Sequence, residues 1–263
     1  MPEIRSDTNT LLQEYFDKVF VVTVPRFRDR QEKVRRRLEG IGFDFFYGTD
    51  KETLTADFIS REYHYDKKNS LAVRQYFPPL NPGELACSLS HRMIYQAIVE
   101  NDWQRVLILE DDVVPDPDNL VLLRDCLAEL PPDWELFYLG YLKNENRSAG
   151  SRIKQGWYSF MARLGMSHLP LGMIRNRLPR PYSKHLWRAG FHDCTHAYAV
   201  SLSGAKKLLA AQSPVTQRAD NLLSLLVLQN RIRAFAAKKF LFNQEVFKDS
   251  GDRSFIREKW ANQ

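Results

Sequence analysis

The chain has 263 residues, of which 44% are hydrophobic and 27% are charged, and these values predict one packed, soluble domain over residues 1–263. No apolar stretch reaches the ~20 residues that span a bilayer, which excludes a transmembrane helix, and the polar N-terminus lacks a signal peptide's apolar stretch. The net charge of +6 and the pI of about 9.2 suit anionic partners, such as nucleotide phosphates, phosphorylated glycans, acidic lipid surfaces or nucleic acid.

The cysteines indicate the compartment. Cys87, Cys126 and Cys194 are widely spaced and match no zinc-binding pattern. An odd number of cysteines in a chain without a signal peptide favours free thiols in a reducing cytosol. We therefore expect a cytoplasmic protein.

Apolar runs and helix boundary signals predict an alternation of strands and helices along the chain. The first half predicts a docked helix within residues 1–16, a strand at 18–24, a basic helix at 26–39, a strand at 43–47, a helix at 84–100 and a strand at 105–114. The second half predicts a helix at 118–130, strands at 134–140 and 196–201, helices at 204–212 and 220–229, and a strand at 232–242. This order predicts an α/β fold with a mostly parallel sheet and helices on both faces.

Residues 141–190 differ from the rest of the chain in charge. They contain ten lysines and arginines, whereas Glu145 is their only acid, and they include Trp157, Tyr158, Phe160 and Trp187. Glycine and proline breakers predict a long irregular insertion, and such loops in compact domains are usually functional or disordered. A soluble acceptor-binding lid and a contact with an acidic membrane are equal alternatives for this basic insertion.

Three carboxylates end a short apolar run. Residues 106–109 are apolar and predict a buried strand, which Glu110, Asp111 and Asp112 follow directly. Open α/β sheets bind ligands at this edge, and adjacent like charges become tolerable when a divalent cation joins them. An exposed acidic turn is the alternative.

The helix at 84–100 carries a polar face beside its apolar stripe. Glu84, Ser88, His91 and Tyr95 follow one another at spacings of four, three and four residues, so they share one face. That face is either solvated surface or part of a site next to the acidic strand.

Basic residues follow the first predicted strand. Thr23 lies near the end of this strand, and Arg26, Arg28 and Arg30 follow the strand, at the edge where α/β folds bind phosphates. Arginine is well suited to fork onto phosphate oxygens. The alternative is a basic helix face in water.

Several segments together resemble glycosyltransferase family 25, which includes bacterial lipooligosaccharide galactosyltransferases and collagen hydroxylysine galactosyltransferases. The resemblance lies in the opening strand and turn (residues 21–30), the Gly-Glu to Ser-His segment (81–91), the acidic motif (107–113), a later strand and helix (196–200 and 203–209) and the final positions (243–244 and 249–250). Thr23 and Pro25 replace the family's more usual Asn and Asp, and Ala86 replaces a Gly before Cys87.

The resemblance implies a GT-A type, Rossmann-like nucleotide-binding fold, a nucleotide-sugar donor, a divalent metal (Mn²⁺ or Mg²⁺) and inversion at the anomeric carbon. Asp112 is then the expected metal ligand, because a metal held there stabilises the departing diphosphate. We expect the donor to be bound by Thr23, Arg26, Arg30, Glu84, Glu110 and Asp111.

Inversion also needs a base that takes the proton of the acceptor hydroxyl. We expect Asp220 in this role, with Asp193 and Asp249 as rivals, although Asp220 could simply cap a helix. His91 is the second expected catalytic residue, with a donor-binding or orienting role.

The sequence therefore predicts a metal-dependent galactosyltransferase that uses UDP-galactose. The expected acceptor is a cell-surface glycan such as lipooligosaccharide, and a protein or peptide acceptor, with galactose or glucose, is the alternative. A non-catalytic module that binds polyanions or membrane is a third hypothesis, which the intact acidic triplet disfavours. We expect no nucleic-acid partner, and possible peripheral contact with the inner face of an acidic membrane.

Overall fold

The computed structural model describes residues 6–73, 79–142 and 148–245. The first half of the chain forms α1 (Ser6–Tyr15), β1 (Lys18–Thr23), α2 (Arg28–Arg37), β2 (Asp44–Tyr47), a 3-10 helix (Lys51–Thr53), α3 (Ala56–Glu62), α4 (Lys67–Val73), α5 (Pro82–Glu100), β3 (Arg105–Glu110) and β4 (Val113–Pro115). The second half forms α6 (Pro117–Leu120), α7 (Leu123–Glu129), β5 (Leu136–Leu142), α8 (Ala149–Arg163), α9 (Leu171–Asn176), β6 (Arg180–Pro181), β7 (Leu186–Arg188), β8 (Asp193–Ser201), α10 (Leu202–Ala211), α11 (Ala219–Leu228), β9 (Ala234–Ala237) and β10 (Phe242–Gln244).

Eight of the described strands form one sheet in the order β2-β1-β3-β8-β5-β9-β7-β6. The pairs β1–β2, β1–β3 and β5–β9 are parallel, and the pairs that involve β7 or β8 are antiparallel. Only β7 and β8 therefore run against the other strands described in this sheet. The predicted α/β class with a mostly parallel sheet is confirmed.

Side chains of the central strand β3 alternate between two cores. Leu107 and Leu109 pack in one core with α1 and α2, whereas Val106 and Ile108 pack in the other with α5, α10 and α11. Successive strand residues point to opposite faces, so a strand with helices on both faces must be apolar at nearly every position. The predicted docking of the N-terminal helix is confirmed, since Leu12 is fully buried in the first core.

The strand predicted at 105–114 ends earlier, at Glu110. Asp111 and Asp112 form a turn, and β4 then pairs with β10 in a separate two-stranded sheet. The strand predicted at 232–242 is likewise divided, into β9 in the central sheet and β10 against β4. The helix predicted at 118–130 is divided into α6 and α7. The turn after β3 keeps the two aspartates at the edge of the central sheet.

The prediction of an irregular basic insertion was wrong for the described part of residues 141–190. This segment forms α8 and α9, and β7 pairs with β9 as part of the central sheet. Ser148 caps α8, since its hydroxyl accepts a hydrogen bond from the backbone N–H of Ser151. Glycine is unfavourable inside a helix, so the glycines at 150 and 156 weaken the sequence pattern that would predict α8. Lys143, Glu145 and Arg147 lie outside the described residues.

Candidate active site

A cleft of about 430 Å³ opens at the carboxyl ends of the parallel strands β1, β2 and β3. Seven of the predicted site residues line it: Thr23, Arg26, Arg30, His91, Glu110, Asp111 and Asp112. Glu84 and Asp220 are not among its lining residues within the described chain. Topology thus gathers most of the predicted residues at one sheet edge, where α/β folds bind ligands.

Contacts from both ends of the chain fix the two aspartates after β3. The Thr23 hydroxyl donates to Asp111 Oδ2 at 2.7 Å, and Arg30 pairs with Asp111 Oδ1 at 2.5 Å. Gln244 Nε2 donates to Asp112 Oδ2 at 2.9 Å, and Arg30 lies 3.5 Å from the same oxygen. Asp111 therefore has partners on both carboxylate oxygens, whereas the side-chain contacts of Asp112 within the described chain involve only Oδ2.

Asp112 has the free donor atom that a metal ligand needs. Its Oδ1 is buried and has no hydrogen-bond partner among the described residues. Burial and the nearby charge of Glu110 raise the pKa of Asp112 to about 7, although Arg30 opposes the shift. An unpaired buried carboxylate oxygen is costly, and a divalent cation removes that cost by coordinating it. These residues fit a hard divalent cation.

Glu110 is held differently from the two aspartates. The Thr195 hydroxyl donates to Glu110 Oε1, and His91 Nε2 lies 3.6 Å from the same oxygen. Burial alone would raise the pKa of Glu110, but the contacts with His91 and Thr195 outweigh it and lower this pKa. For Asp111 burial outweighs Arg30 and Thr23, so its pKa is raised. Glu110 is therefore the carboxyl group of the triplet that ionises most readily.

The polar face predicted for α5 is buried, so solvated surface is the wrong interpretation of it. His91 is 1% exposed and Tyr95 is fully buried. His91 Nδ1 lies 2.7 Å from the Tyr198 hydroxyl, which in turn hydrogen-bonds Tyr95 at 2.9 Å. This chain of contacts orients the His91 ring towards Glu110. By contrast Met93, an apolar residue of the same helix, is 40% exposed.

Glu84 has structural partners at the start of α5. Its backbone N–H donates to Asn81 Oδ1, and its carboxylate accepts from the Asn81 backbone N–H, which together form a capping box. The same carboxylate pairs with Arg218. This geometry favours a role in holding α5 over the donor binding that we predict from the sequence.

The three arginines after β1 differ in their partners. Arg26 pairs with Asp50 at 2.6 Å, and Arg30 pairs with the aspartates after β3. Arg28 also lines the cleft and is exposed, and within the described chain it has no carboxylate partner. The cleft therefore presents one arginine that is available to an anionic ligand, beside two that are already paired.

The candidate bases lie around β8 and α11. Asp220 Oδ2 accepts from the Cys194 backbone N–H at 3.4 Å, and Cys194 has a left-handed φ of 67°. Burial raises the pKa of Cys87, which lines the cleft, and of Cys194, and the negative charge of Asp220 adds to both shifts. Asp193 is buried in β8. The third candidate, Asp249, lies outside the described residues.

A second set of donor atoms also lines the cleft. One ligand atom each from Cys87, His91 and Glu110 lie within 4.8 Å of one another. Burial and the charge of Glu110 raise the pKa of the Cys87 thiol, so in the free protein this sulfur stays protonated. A softer cation such as Zn²⁺ suits these atoms better than Mn²⁺ or Mg²⁺ does.

Sequence reasoning assigned no role in the site to Cys87, Thr195, Tyr198 or Gln244. Cys87 and His91 are four residues apart on one helix, and this spacing was a usable signal. Thr195 and Gln244 contact Glu110 and Asp112 from distant parts of the chain, and Tyr198 contacts His91. No local pattern predicts these contacts.

A family model described as glycosyltransferase family 25 (LPS biosynthesis protein) matches residues 16–223. This range includes β1, β3, α5 and the acidic triplet, and it covers most of the chain. The chain belongs to glycosyltransferase family 25. The predicted family is confirmed.

Curated relatives in this family are much longer than the matched region. Procollagen galactosyltransferase 2 from Homo sapiens is 23% identical over 74% of this chain and 28% of its own length. Procollagen galactosyltransferase 1 from Danio rerio is 24% identical over 92% of this chain and 38% of its own length. A probable inactive glycosyltransferase 25 family member 3 from Bos taurus is 27% identical over 75% of this chain and 29% of its own length.

Similarity to solved structures is low. A glycosyltransferase involved in the glycosylation of the major capsid of PBCV-1 is 13% identical, with a TM-score of 0.40 over 86% of this chain and 91% of that chain. Similarity at this level assigns no function to this chain.

Proposed function

We propose that this family 25 protein is an inverting, metal-dependent galactosyltransferase that moves galactose from UDP-galactose to a hydroxyl of a cell-surface glycan such as lipooligosaccharide. The observation that carries the proposal is the buried, unpartnered Oδ1 of Asp112 in a cleft that Arg26, Arg28 and Arg30 also line. A carboxylate oxygen beside several arginines suits a metal-bound diphosphate.

The basic side chains have the role of binding the donor diphosphate. Arg28 is free of carboxylate partners in the described chain and binds the phosphate oxygens directly, whereas Arg30 holds Asp111 and Asp112 in place. Asp112 would hold Mn²⁺ or Mg²⁺, which when bound stabilises the charge left on the departing UDP. The arginines share in this stabilisation.

Glu110 and Asp111 have the role of positioning the donor. Both carboxylates are held by neighbours, Glu110 by Thr195 and His91 and Asp111 by Thr23 and Arg30. Their remaining acceptor capacity suits the hydroxyls of the ribose or of the donor sugar. His91 orients Glu110, since its other ring nitrogen is bound to Tyr198.

The proton of the acceptor hydroxyl goes to Asp220 in this proposal. Asp220 is half-buried at the start of α11, whereas Asp193 is buried within β8. A base must approach the acceptor oxygen to within hydrogen-bond distance, which favours the more accessible carboxylate.

A protein acceptor is the second candidate. Relatives that cover most of this chain are named procollagen galactosyltransferases, which supports galactose as the donor sugar and a protein hydroxyl as an alternative acceptor. The bovine relative named as probably inactive keeps a third outcome open, in which the chain binds polyanions or membrane without catalysis.

The test is a donor-hydrolysis panel with the purified chain, Mn²⁺ and a series of UDP-sugars, followed by transfer assays on a lipooligosaccharide-type glycan and on a collagen peptide. We expect UDP-galactose to be hydrolysed fastest, with transfer to the glycan. Transfer to the peptide alone would replace the first acceptor with the second. Absence of hydrolysis for every donor would reject the enzymatic proposal.

Two variants assign the roles within this test. Asp112→Ala should lower metal-dependent turnover by ~100-fold or more, because it removes stabilisation of the leaving group. Asp220→Asn should lower transfer while UDP affinity stays unchanged, because a base contributes typically ~100-fold or more to rate but nothing to nucleotide binding. Normal transfer by the Asp220 variant would move the role to Asp193 or Asp249.

A further inference from the structure

The helix α8 presents its apolar side to solvent. Ile153, Trp157, Phe160 and Leu164 follow one another at spacings of four, three and four residues, so they form one stripe. Their exposed fractions are 75%, 60%, 49% and 56%, respectively. A contiguous exposed stripe of this kind marks an interaction site, since scattered single residues are what ordinary surfaces show.

The opposite side of α8 faces the protein and carries polar side chains. Ser151, Gln155 and Ser159 are partly buried there. Gln155 Nε2 donates to the backbone carbonyl of Ile174 at 2.8 Å, in the neighbouring helix α9. A surface helix normally buries its apolar side, so α8 has the reverse orientation. Polar contacts hold it in that orientation, which leaves the apolar stripe for an external partner.

Basic residues flank the apolar stripe. On the helical wheel Lys154 lies on one side of it, and Arg152 and Arg163 lie on the other. Arg152, Arg175 and Arg180 also line a cleft of about 260 Å³ between α8 and the segment after it. Residues 148–192 contain no Asp or Glu. This surface therefore combines an apolar stripe with a cationic rim and a cleft suited to an anionic group.

This combination distinguishes between the partners that an apolar stripe can have. Two copies of the chain packed stripe to stripe would bring the same arginines and lysines together, and like charges repel. Nucleic acid satisfies the arginines but does not need the apolar stripe. An acidic lipid surface satisfies both, because the stripe enters the acyl boundary while the basic residues meet the headgroups.

We propose that α8 and the adjoining arginine cleft form a docking surface for an acidic phospholipid membrane. Ile153, Trp157, Phe160 and Leu164 enter the interface, and Arg152, Arg175 and Arg180 bind headgroup phosphates. This docking is independent of the proposed catalytic activity, since no residue of the cleft at β1 and β3 takes part.

The test is sedimentation of the full chain, without UDP or metal, with vesicles of phosphatidylcholine and phosphatidylglycerol in equal parts and with vesicles of phosphatidylcholine alone. The wild type should sediment with the acidic vesicles and should stay in the supernatant when only neutral vesicles are present. Arg152→Gln/Arg175→Gln/Arg180→Gln should lower the partition coefficient by about 100-fold, because each basic residue near an acidic surface contributes about fivefold. Ile153→Ser/Trp157→Ser should lower it at least ~10-fold.

A matched control separates a specific surface from overall charge. Lys67→Gln/Lys68→Gln/Lys206→Gln makes the same change in charge at exposed residues elsewhere and should bind nearly as the wild type does. The side chains replaced in the arginine, apolar and lysine variants are all exposed, so the melting temperatures of these variants should match that of the wild type.

Four results would overturn the proposal. The first is that the wild type binds neutral vesicles as well as acidic ones, and the second is that the lysine control loses as much vesicle binding as the arginine variant does. The third is that inorganic phosphate at constant ionic strength releases the protein from the vesicles. The fourth is that the wild type is a dimer, and that Ile153→Ser/Trp157→Ser abolishes the dimer but leaves vesicle binding unchanged.

Discussion

Asp112 has two opposing properties, and together they suit a metal ligand. Its carboxylate is nearly enclosed, which favours the neutral form and raises its pKa to about 7. Its Oδ1 nevertheless lacks a donor in the described chain, so nothing within the protein compensates the charged form at that oxygen. A residue in this state is destabilising until a cation binds, and its cost to the fold should be measurable in metal-free protein.

We expect the wild-type protein to lose stability as the pH rises through the range in which Asp112 ionises, and we expect Asp112→Asn to remove this loss. The folded-state pKa lies above the ordinary Asp value, so the folded state keeps a proton that the unfolded state releases. The contribution of Asp112 to stability therefore falls as pH rises from about 4 to about 7. Urea unfolding of the metal-free protein should show the variant gaining on the wild type across this window. An equal pH dependence for both proteins would contradict the burial of this charge.

Arg28 should bind UDP directly, because it has no carboxylate partner within the described chain, whereas Arg26 and Arg30 are paired with carboxylates. Arg28→Gln should weaken UDP affinity by roughly 1.5–3 kcal/mol, the range for a hydrogen bond to a charged group. Arg26→Ala and Arg30→Ala should also weaken it, and the Arg30 change additionally frees Asp111 and Asp112. Calorimetry measures the affinities. Arg36→Gln is the control, because Arg36 is 81% exposed and does not line the cleft. Equal affinity in the Arg28 variant and the control would make Arg28 ordinary surface charge.

At the scale of elements, α5 connects the fold to the site. Its start is fixed by the Asn81–Glu84 capping box and the pair with Arg218, and its middle supplies His91 to the cleft. The N-terminal end is close to α11, because Arg218 directly precedes that helix. Changes at the start of α5 should therefore act on stability before they act on ligand binding.

We expect Glu84→Ala to destabilise the fold by about 2–4 kcal/mol with little change in UDP affinity. The variant loses a capping box and the ion pair between Glu84 and Arg218. Chemical unfolding measures the first effect and calorimetry the second. In Glu84→Ala/Arg218→Ala the loss should be smaller than the sum of the single changes. Weak UDP binding at normal stability would instead support the donor-binding role predicted for Glu84.

At the scale of the whole molecule, the site unites residues from nearly the entire described chain. Thr23 and Gln244, which are 221 positions apart, contact adjacent aspartates. The small sheet of β4 and β10 makes this possible, since it returns the last described strand to the turn after β3. Ligand binding at such a site should stabilise the global fold, because unfolding any part of it releases the ligand.

We expect the complex of UDP with Mn²⁺, at about 100 times its dissociation constant, to stabilise the protein by about 2.7 kcal/mol. For a chain of this size the melting temperature should rise by roughly 5–10 °C. Differential scanning calorimetry measures the shift, and Asp112→Asn should abolish the part due to Mn²⁺. A full shift in that variant would place the metal elsewhere, for example at Cys87, His91 and Glu110.

Much of the fold and the position of the site followed from the sequence alone. The apolar residues of β3 and the carboxylates after it are contiguous, so the local pattern determined both a buried strand and its acidic end. Helical spacing likewise determined which residues of α5 share a face. Both are consequences of backbone geometry, which fixes the direction of each side chain within a strand or helix.

Only the tertiary structure decided which partners those residues have. The contacts of Glu84 with Arg218, Glu110 with Thr195 and Asp112 with Gln244 join positions 85 or more residues apart. The outward side of α8 was decided in the same way, by hydrogen bonds from Gln155 to α9. Periodicity shows that a helix has two faces, but which face is buried depends on what the rest of the chain places beside it. In the same way, tertiary partners decide whether a carboxylate holds the fold together or is available to a ligand.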